Sequence, residues 1–457
     1  METAGCDCDS SRMSTPLPAG PSFRPLQTLR FLRSPTHFIQ EARARYGDPF
    51  TAPLAFGKVV ITSEPEGIRE IFTADPALFL PLGAEILTPI LGENSLLLLG
   101  GARHKRERKL LMPPFHGERM RAYGQLMAEL TQRLVQGLRP GGTFRAQHLT
   151  QDISLEVIIR AVFGVQDASR VQRFREVLVD YLEAYTPLLM VAVPLRRSFG
   201  GHGPWARFQR HAAVLDGLLS EELTSRRGHE TGHTDILSLL LTARDEAGQP
   251  MTDLELKSEL LTLLAAGHET TAIGMAWTLY HLHREPEVLQ KLLAELAPLG
   301  PSPEPEALAR LPYLGAVCDE ALRLNPVVSV VGRTTVAPFT LRGRELPAGT
   351  GLMAAICGVH FHPELYPEPQ RFRPERFLER KYSPFEYLPF GGGARRCIGA
   401  AFAQYEMRIV LGTLLAAHRF ATAPGAPEES PVRRNVTFGP RHGVQLVYGG
   451  PRQGALA

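Results

Sequence analysis

The sequence predicts a mostly α, α+β chain, with a helix-rich first part and a strand- and loop-rich second part. Three observations predict it. From Ala102 to about Gly300 apolar residues recur at helical spacing. After Pro326 short strand-like runs alternate with Gly and Pro, and this region holds much of the excess in Gly 42 and Pro 38. Within the helical region lies one long segment, Thr252 to His283, opened by Thr252-Asp253-Leu254-Glu255, a capping box. At 1.5 Å per residue it is about 48 Å long and must cross a whole domain.

In chain order, residues 1–16 read as a disordered tail of small polar residues and proline. Length alone suggests about three domains or one large one. Cys6 and Cys8 lack a companion pair for a metal, and Met13 offers an alternative start. Ser34 to Tyr46 reads as a helix, Phe50 to Thr62 as a hairpin around Gly57, and Pro65 to Thr73 as a second helix. Asp75 to Gly101 mixes Pro, Gly and Leu without a period and reads as an apolar loop. A helix from Ala102 ends at Pro113 and Pro114, and Glu118 suits the start of the next. Helices follow near Arg119 to Gly137, Asp152 to Phe163 and Ala168 to Tyr185. Pro187 to Pro204 interrupts, Trp205 to Arg226 resumes, and Arg227 to Thr234 is a polar loop. A last helix runs from near Cys397 to about His418.

Composition excludes several classes. Hydrophobic residues make 44% and net charge is only +3, which excludes a disordered chain. Five cysteines without repeating spacing exclude a disulfide scaffold. The charge balance argues against a nucleic-acid partner. No apolar run reaches the roughly 18 residues of a membrane helix, and Met1 to Gly20 contains no signal core. The expectation is a cytoplasmic protein without a membrane anchor.

The sharpest chemical segment is Phe390-Gly391-Gly392-Gly393-Ala394-Arg395-Arg396-Cys397-Ile398-Gly399. Glycines let the backbone approach a bulky group. Cys397 falls where a helix is predicted to begin, so the dipole and free N–H groups favour its thiolate. One such thiolate suits an axial ligand of haem iron; a glycine-rich turn around a buried cysteine is the plainer alternative. Ala266-Gly267-His268-Glu269-Thr270-Thr271 lies inside the long helix. His104 and Arg108, four apart, share a helix face, and Glu320 and Arg323, three apart, can pair. Here the plainer alternatives are solvated charges and a threonine bonded to its own i−4 carbonyl. His360 and His362 lack a third metal ligand, His268 reads as a surface or packing residue, and Cys318 and Cys357 read as buried thiols.

Taken in order, these segments resemble the cytochromes P450. Phe390, Gly393, Arg395, Cys397 and Gly399 match every defined position of the family's F-x-x-G-x-R-x-C-x-G loop. Glu320-Ala321-Leu322-Arg323 resembles its E-x-x-R, Pro374-Glu375-Arg376-Phe377 its P-E-R-F segment, and 266–271 its A/G-G-x-D/E-T-T segment. The resemblance covers roughly Leu17 to Val447. It implies a single domain over residues 17–457 with the P450 fold, a helix-rich lobe and a smaller β-rich lobe around a buried haem b. It implies that Cys397 ligates the haem iron, that Arg395, His104, Arg108 and Arg333 reach the propionates, and that Phe390 belongs to the haem loop. Gly267 would make room for dioxygen, Thr270 would supply the hydroxyl at the oxygen site, and Glu269 would be the relay acid. Glu320, Arg323 and Arg376 would form a buried network serving stability and haem incorporation.

The implied activity is a monooxygenase that activates O₂ and hydroxylates or epoxidises a hydrophobic small molecule, such as a fatty acid, terpenoid or polyketide-like compound. Its pocket would draw on segments 79–98 and 188–193, on Leu263 and Ala266, on 327–331 with Val330, and on 436–438 with Phe438. A separate ferredoxin or flavodoxin, with its reductase, would deliver electrons to a monomer, steered by Arg103, Lys105, Arg106, Lys109 and Arg396. Two alternatives remain. One is a peroxygenase, isomerase or dehydratase on the same fold, disfavoured by the intact Glu269-Thr270 pair. The other is a haem-binding or sensing protein without catalysis.

Overall fold

The structure, a computed structural model, describes residues 16–115, 119–191, 193–198, 200–229 and 235–452. Cys6, Cys8, Met13, Glu118 and the end of the polar loop at 230–234 lie outside the described residues.

The chain opens with α1 (Arg24–Arg33), α2 (Pro35–Tyr46), β1 (Phe50–Leu54), β2 (Gly57–Thr62) and α3 (Pro65–Thr73). Next come β3 (Phe79–Pro81) and α4 (Ala84–Leu91). The helical body runs through α5 (Gly101–Leu111), α6 (Arg119–Val135), β4 (Thr143–Arg145), α7 (Ala146–Phe163), α8 (Ala168–Ala184), α9 (Pro187–Val191) and α10 (Gly203–Arg226). It continues with α11 (Ile236–Thr242), α12 (Asp253–Arg284), α13 (Pro286–Leu296), α14 (Pro305–Arg310) and α15 (Pro312–Leu324). The strand-rich part holds β5 (Val331–Thr335), β6 (Phe339–Leu341), β7 (Arg344–Leu346), β8 (Gly351–Ala354), α16 (Ile356–His360) and α17 (Arg376–Glu379). It closes with α18 (Ala400–Ala417), β9 (His418–Thr422), β10 (Pro431–Arg434), β11 (Thr437–Pro440) and β12 (Gln445–Pro451). The predicted helix-rich and strand-rich division is the observed one.

The largest sheet has the order β1-β2-β8-β5-β3, with β2 and β8 parallel and the other neighbours antiparallel. It places Arg333 opposite Pro81 and Leu352. The hairpin β10–β11 stands apart as a two-stranded ladder.

The central helix α12 forms as its cap predicts. The Thr252 hydroxyl accepts from the Glu255 N–H, and the Glu255 carboxylate accepts from the Thr252 N–H at 2.7 Å. It is buried along most of its length, from Leu256 and Leu260 to Trp277 and Leu282, as befits a helix that traverses a core. Its two glycines are contact points. A Cβ on Gly274 would lie 3.3 Å from the Met407 sulfur of α18, and one on Gly267 would lie 3.0 Å from Ile158 of α7.

Four boundaries differ from expectation. Ahead of the helix expected from Ser34, the chain holds α1, whose apolar face is interrupted by polar residues and gives no helical period. Helix α7 begins at Ala146, six residues before the expected Asp152, through a polar first turn. The last helix begins at Ala400 and not at Cys397. The apolar loop 75–101 contains β3 and α4. Helix α4 was concealed by Pro89, which removes the N–H that would serve the Glu85 carbonyl. That carbonyl accepts instead from Arg196 Nη1 at 2.8 Å, a partner from beyond α9 that no local pattern reveals.

Candidate functional site

The segment 390–399 folds back on itself before α18. The Cys397 N–H donates to the Phe390 carbonyl at 2.9 Å, closing the loop. Phe390 is half-buried against the main core cluster. The glycines answer to α3. A Cβ on Gly392 would lie 2.4 Å from the Phe72 ring, and one on Gly393, at φ +65°, would lie 2.1 Å from the Phe72 carbonyl oxygen. The bulky group approached is therefore Phe72.

Cys397 is solvent-accessible, yet burial pushes its thiol pKa up. Both hold for a sulfur that faces an interior slot. The Gly399 N–H and the charges of Arg108 and Arg396 pull the other way and favour thiolate. The dipole of α18 is three residues further off than expected, so local N–H and arginine contacts take its place.

Beside the loop, four side chains from three elements converge. His104 and Arg108 come from α5, Arg333 from β5 and Arg395 from the loop. His104 is buried, and its pKa is pushed down to about 4, first by burial and then by the charges of Arg395, Arg108 and Arg333. It is therefore a neutral donor, and the positive charge belongs to the arginines. Burial, then the Arg395 charge, lowers Arg333 to about 10. Arg395 donates to the Leu99 carbonyl, while its Nε is buried without a partner. No carboxylate is among the groups that perturb His104, Arg333 or Arg395. Clustered, half-desolvated guanidiniums with an orphaned donor suit a ligand carrying two carboxylates. With a thiol facing the slot beside them, the residues present fit haem and its propionates.

Over α12 the placements diverge. Ala266 is exposed although Leu263 and Leu264 just before it are buried, so it borders open space in the middle of a core helix. Gly267 does not serve the expected purpose: it faces Ile158, and its lack of a side chain admits α7. Thr270 donates to the Ala266 carbonyl at 2.7 Å, the plainer bond anticipated for it, which leaves its oxygen free to accept. His268 Nδ1 lies 3.0 Å from the Leu264 carbonyl, a packing role. Burial raises the Glu269 pKa, opposed by Arg434 and by a hydrogen bond with Thr437. Phe438 departs from expectation: it packs under the Arg433 guanidinium, 4.5 Å from ring centroid, on the hairpin face opposite Thr437. Val330 is half-buried at the edge of the cluster beneath β1 and β2. The two remote pocket segments do meet, α4 packing against α9, and just ahead of α9 Tyr185 donates to the Ile86 carbonyl at 2.7 Å and Tyr181 to that of Ile90 at 2.8 Å.

The charge network is fully formed and buried. Glu320 accepts from Arg323 at 2.7 and 2.9 Å, from Arg376 at 3.0 Å and from the Arg373 N–H at 2.8 Å. His360, set aside in the sequence as lacking a third metal ligand, completes it. Its Nδ1 lies 3.2 Å from the Arg323 carbonyl and its Nε2 accepts from the Leu388 N–H at 2.9 Å, two residues before Phe390. Burial lowers its pKa to about 3, so it is neutral. Sequence reasoning also missed Arg434 and Glu406, and it included Thr437 only within the pocket segment 436–438. Glu406 is buried on α18, its pKa raised to about 8 by burial and offset by a hydrogen bond with Ser154. The Ser154 hydroxyl in turn reaches the Gly267 carbonyl at 3.4 Å. A spacing of nine from Cys397 was the only signal for it.

The arrangement of accessible thiol, arginine cradle and traversing helix agrees with what comparison finds. Residues 15–445 match the family model described as Cytochrome P450, and the chain belongs to that family. It is a cytochrome P450 monooxygenase, an oxidoreductase of the haem-thiolate class whose members bind protoporphyrin IX iron and use O₂, a small-molecule substrate and an electron donor. Among its relatives are cytochrome P450 135A1 of Mycobacterium tuberculosis, 35% identical over 96% of both chains, and cytochrome P450 135B1 of Mycobacterium bovis, 36% identical over 96% of this chain and 92% of that one. A solved structure of retinoic acid-bound cyanobacterial CYP120A1 superposes with a TM-score of 0.82 at 27% identity, covering 95% of this chain and 99% of that one. Among the described residues no helix is long and apolar enough to cross a membrane.

Proposed function

We propose that this chain inserts one oxygen atom of O₂ into a hydrophobic small molecule, by hydroxylation or epoxidation, with electrons from a separate ferredoxin or flavodoxin. The observation that carries the substrate class is apolar exposure on elements that pack together: Ala266 on α12, Leu97 on the connection after α4, and Leu188 on α9, with α4 packed against both helices. Apolar side chains of this kind suit a mostly hydrocarbon ligand. The relative that binds retinoic acid supports the same class. Iron held by a thiolate supplies dioxygen activation, since the thiolate favours O–O cleavage. Cys397 would hold the iron, and Arg108, Arg333, Arg395 and neutral His104 would hold the propionates. Ala266 keeps its stretch of α12 narrow. Thr270 can accept a hydrogen bond from a water, and Glu269, kept protonatable by burial, can pass it a proton.

A library of apolar and polar compounds tests the class by the haem spin-state shift that follows displacement of bound water. Apolar compounds should produce it; a shift confined to polar compounds would overturn the reading. Thr270→Ala should retain haem and divert electrons to peroxide, measured as product and peroxide per electron consumed. Unchanged coupling would remove Thr270 from the mechanism.

The proposed donor surface is smaller than the sequence suggests. Arg106 is engaged by Asp245 at 2.6 Å and Glu255 at 3.3 Å as well as Glu107, and Lys109 by Glu246 at 2.7 Å. Arg103, Lys105 and Arg396 remain exposed. Reversing Arg103 and Lys105 to Glu should slow reduction by an acidic donor about tenfold at low salt. An unchanged rate and salt dependence would end this assignment.

A further inference from the structure

Glu269 is held from outside its own helix, by the β10–β11 hairpin. In that ladder Arg434 pairs with Thr437, Arg433 with Phe438 and Val432 with Gly439. Paired residues share a face and successive pairs alternate. The Arg433–Phe438 face belongs to α1: Arg433 lies over Phe31 and Phe438, and its Nε donates to the Leu32 carbonyl at 3.2 Å. The opposite face meets α12. A Cβ on Gly439 would lie 3.4 Å from Ile273 and 3.0 Å from the Arg434 Nε. On this face Thr437 and Arg434 stand beside Gly439, whose neighbour Ile273 lies one helical turn after Glu269, and both the Thr437 hydroxyl and the Arg434 charge favour the ionised Glu269 carboxylate. Arg434 is poorly satisfied otherwise, with a 3.4 Å bond to the Pro440 carbonyl and a buried Nε without a partner.

The Thr437 hydroxyl has one hydrogen, and the Arg434 carbonyl oxygen lies 2.7 Å from it. With the hydrogen on that carbonyl, Thr437 can only accept, and a protonated Glu269 can donate to it. With the hydrogen turned to Glu269, the ionised carboxylate is favoured. The rotation of one hydroxyl and the proton on Glu269 are therefore coupled.

We propose that Arg434 and Thr437 are positioning residues that hold Glu269 and set whether it carries a proton. The proposal rests on the reading of Glu269 as relay acid. Among the described residues, other elements near Glu269 add no competing charge. On α12, His268 is kept neutral by burial. Helix α7 presents Ser154 and Ile158 to Gly267, and behind Ser154 lies Glu406, which burial keeps protonated up to about pH 8. Arg434 is the charge that acts.

Infrared difference spectra of the haem-loaded protein across pH test it. The protonated Glu269 carboxyl is assigned as the band lost in Glu269→Gln. In Arg434→Gln its titration midpoint should rise by about one pH unit, because a neighbouring cation favours the ionised form. Arg434→Lys should bring the midpoint back towards the original. In Thr437→Val the band should move to higher wavenumber, since the carboxyl loses a hydrogen-bond partner. An unmoved midpoint in Arg434→Gln, or an unmoved band in Thr437→Val, overturns the proposal. Unchanged coupling in Glu269→Gln overturns the relay reading, whatever the band does in the hairpin variants.

Discussion

Cys397→Ala abolishes the red-shifted Soret band of the reduced, CO-bound protein while leaving the fold in place. The loss follows from sulfur chemistry: among the described cysteines, Cys397 alone is exposed, and the buried Cys318 and Cys357 thiols are each pushed up to about 12 by burial. Neither can supply a thiolate in its place. Retention of the fold follows from the loop's own supports. The Cys397 N–H bond to Phe390 and the packing of Gly392 and Gly393 on Phe72 use backbone and glycine positions, and none uses the sulfur. The reduced CO difference spectrum reads the first effect and circular dichroism the second. A variant that kept the red-shifted band would remove Cys397 as ligand.

Glu320→Ala leaves little folded, haem-containing protein. Glu320 is fully buried and answers two arginines and one backbone N–H. The surplus positive charge is spread over carbonyls of His360, Pro367, Pro369 and Arg371. Removing the carboxylate strands two guanidiniums in the interior, at a cost of about 3–5 kcal/mol. That is a large share of the roughly 5–15 kcal/mol that keeps a domain folded. Because His360 joins Arg323 to Leu388, the damage should reach the haem loop directly. Thermal unfolding and haem content per chain measure both consequences. An unchanged unfolding midpoint would show that the network carries no stability.

What could be read from the sequence had local or motif-level causes. The capping box at Thr252 fixes the start of α12 within its own first turn, and the loop around Cys397 is a contiguous run. What could not be read depends on distant partners. Helix α4 needs Arg196 to serve the carbonyl orphaned by Pro89. The environment of Glu269 depends on which face of a hairpin some 165 residues later meets α12. The same alternation turns Phe438 away and brings Thr437 in. Gly267 was assigned to the cofactor because a small residue has two uses, and only the position of Ile158 distinguishes them. His360 lacked the spacing of a metal ligand, and a histidine that bridges two backbone groups leaves no sequence pattern.

The two glycines packed on Phe72 differ in how they can change. The obstacle at Gly392 is an aromatic ring, so an exchange at 392 can accompany a smaller side chain at 72, and the two positions can drift as a pair. The obstacle at Gly393 is the carbonyl oxygen of residue 72, which every amino acid carries. No compensating substitution exists for it, and its own positive φ closes the remaining route. The loop thus contains one negotiable glycine and one that α3 forbids to vary for as long as the two segments touch.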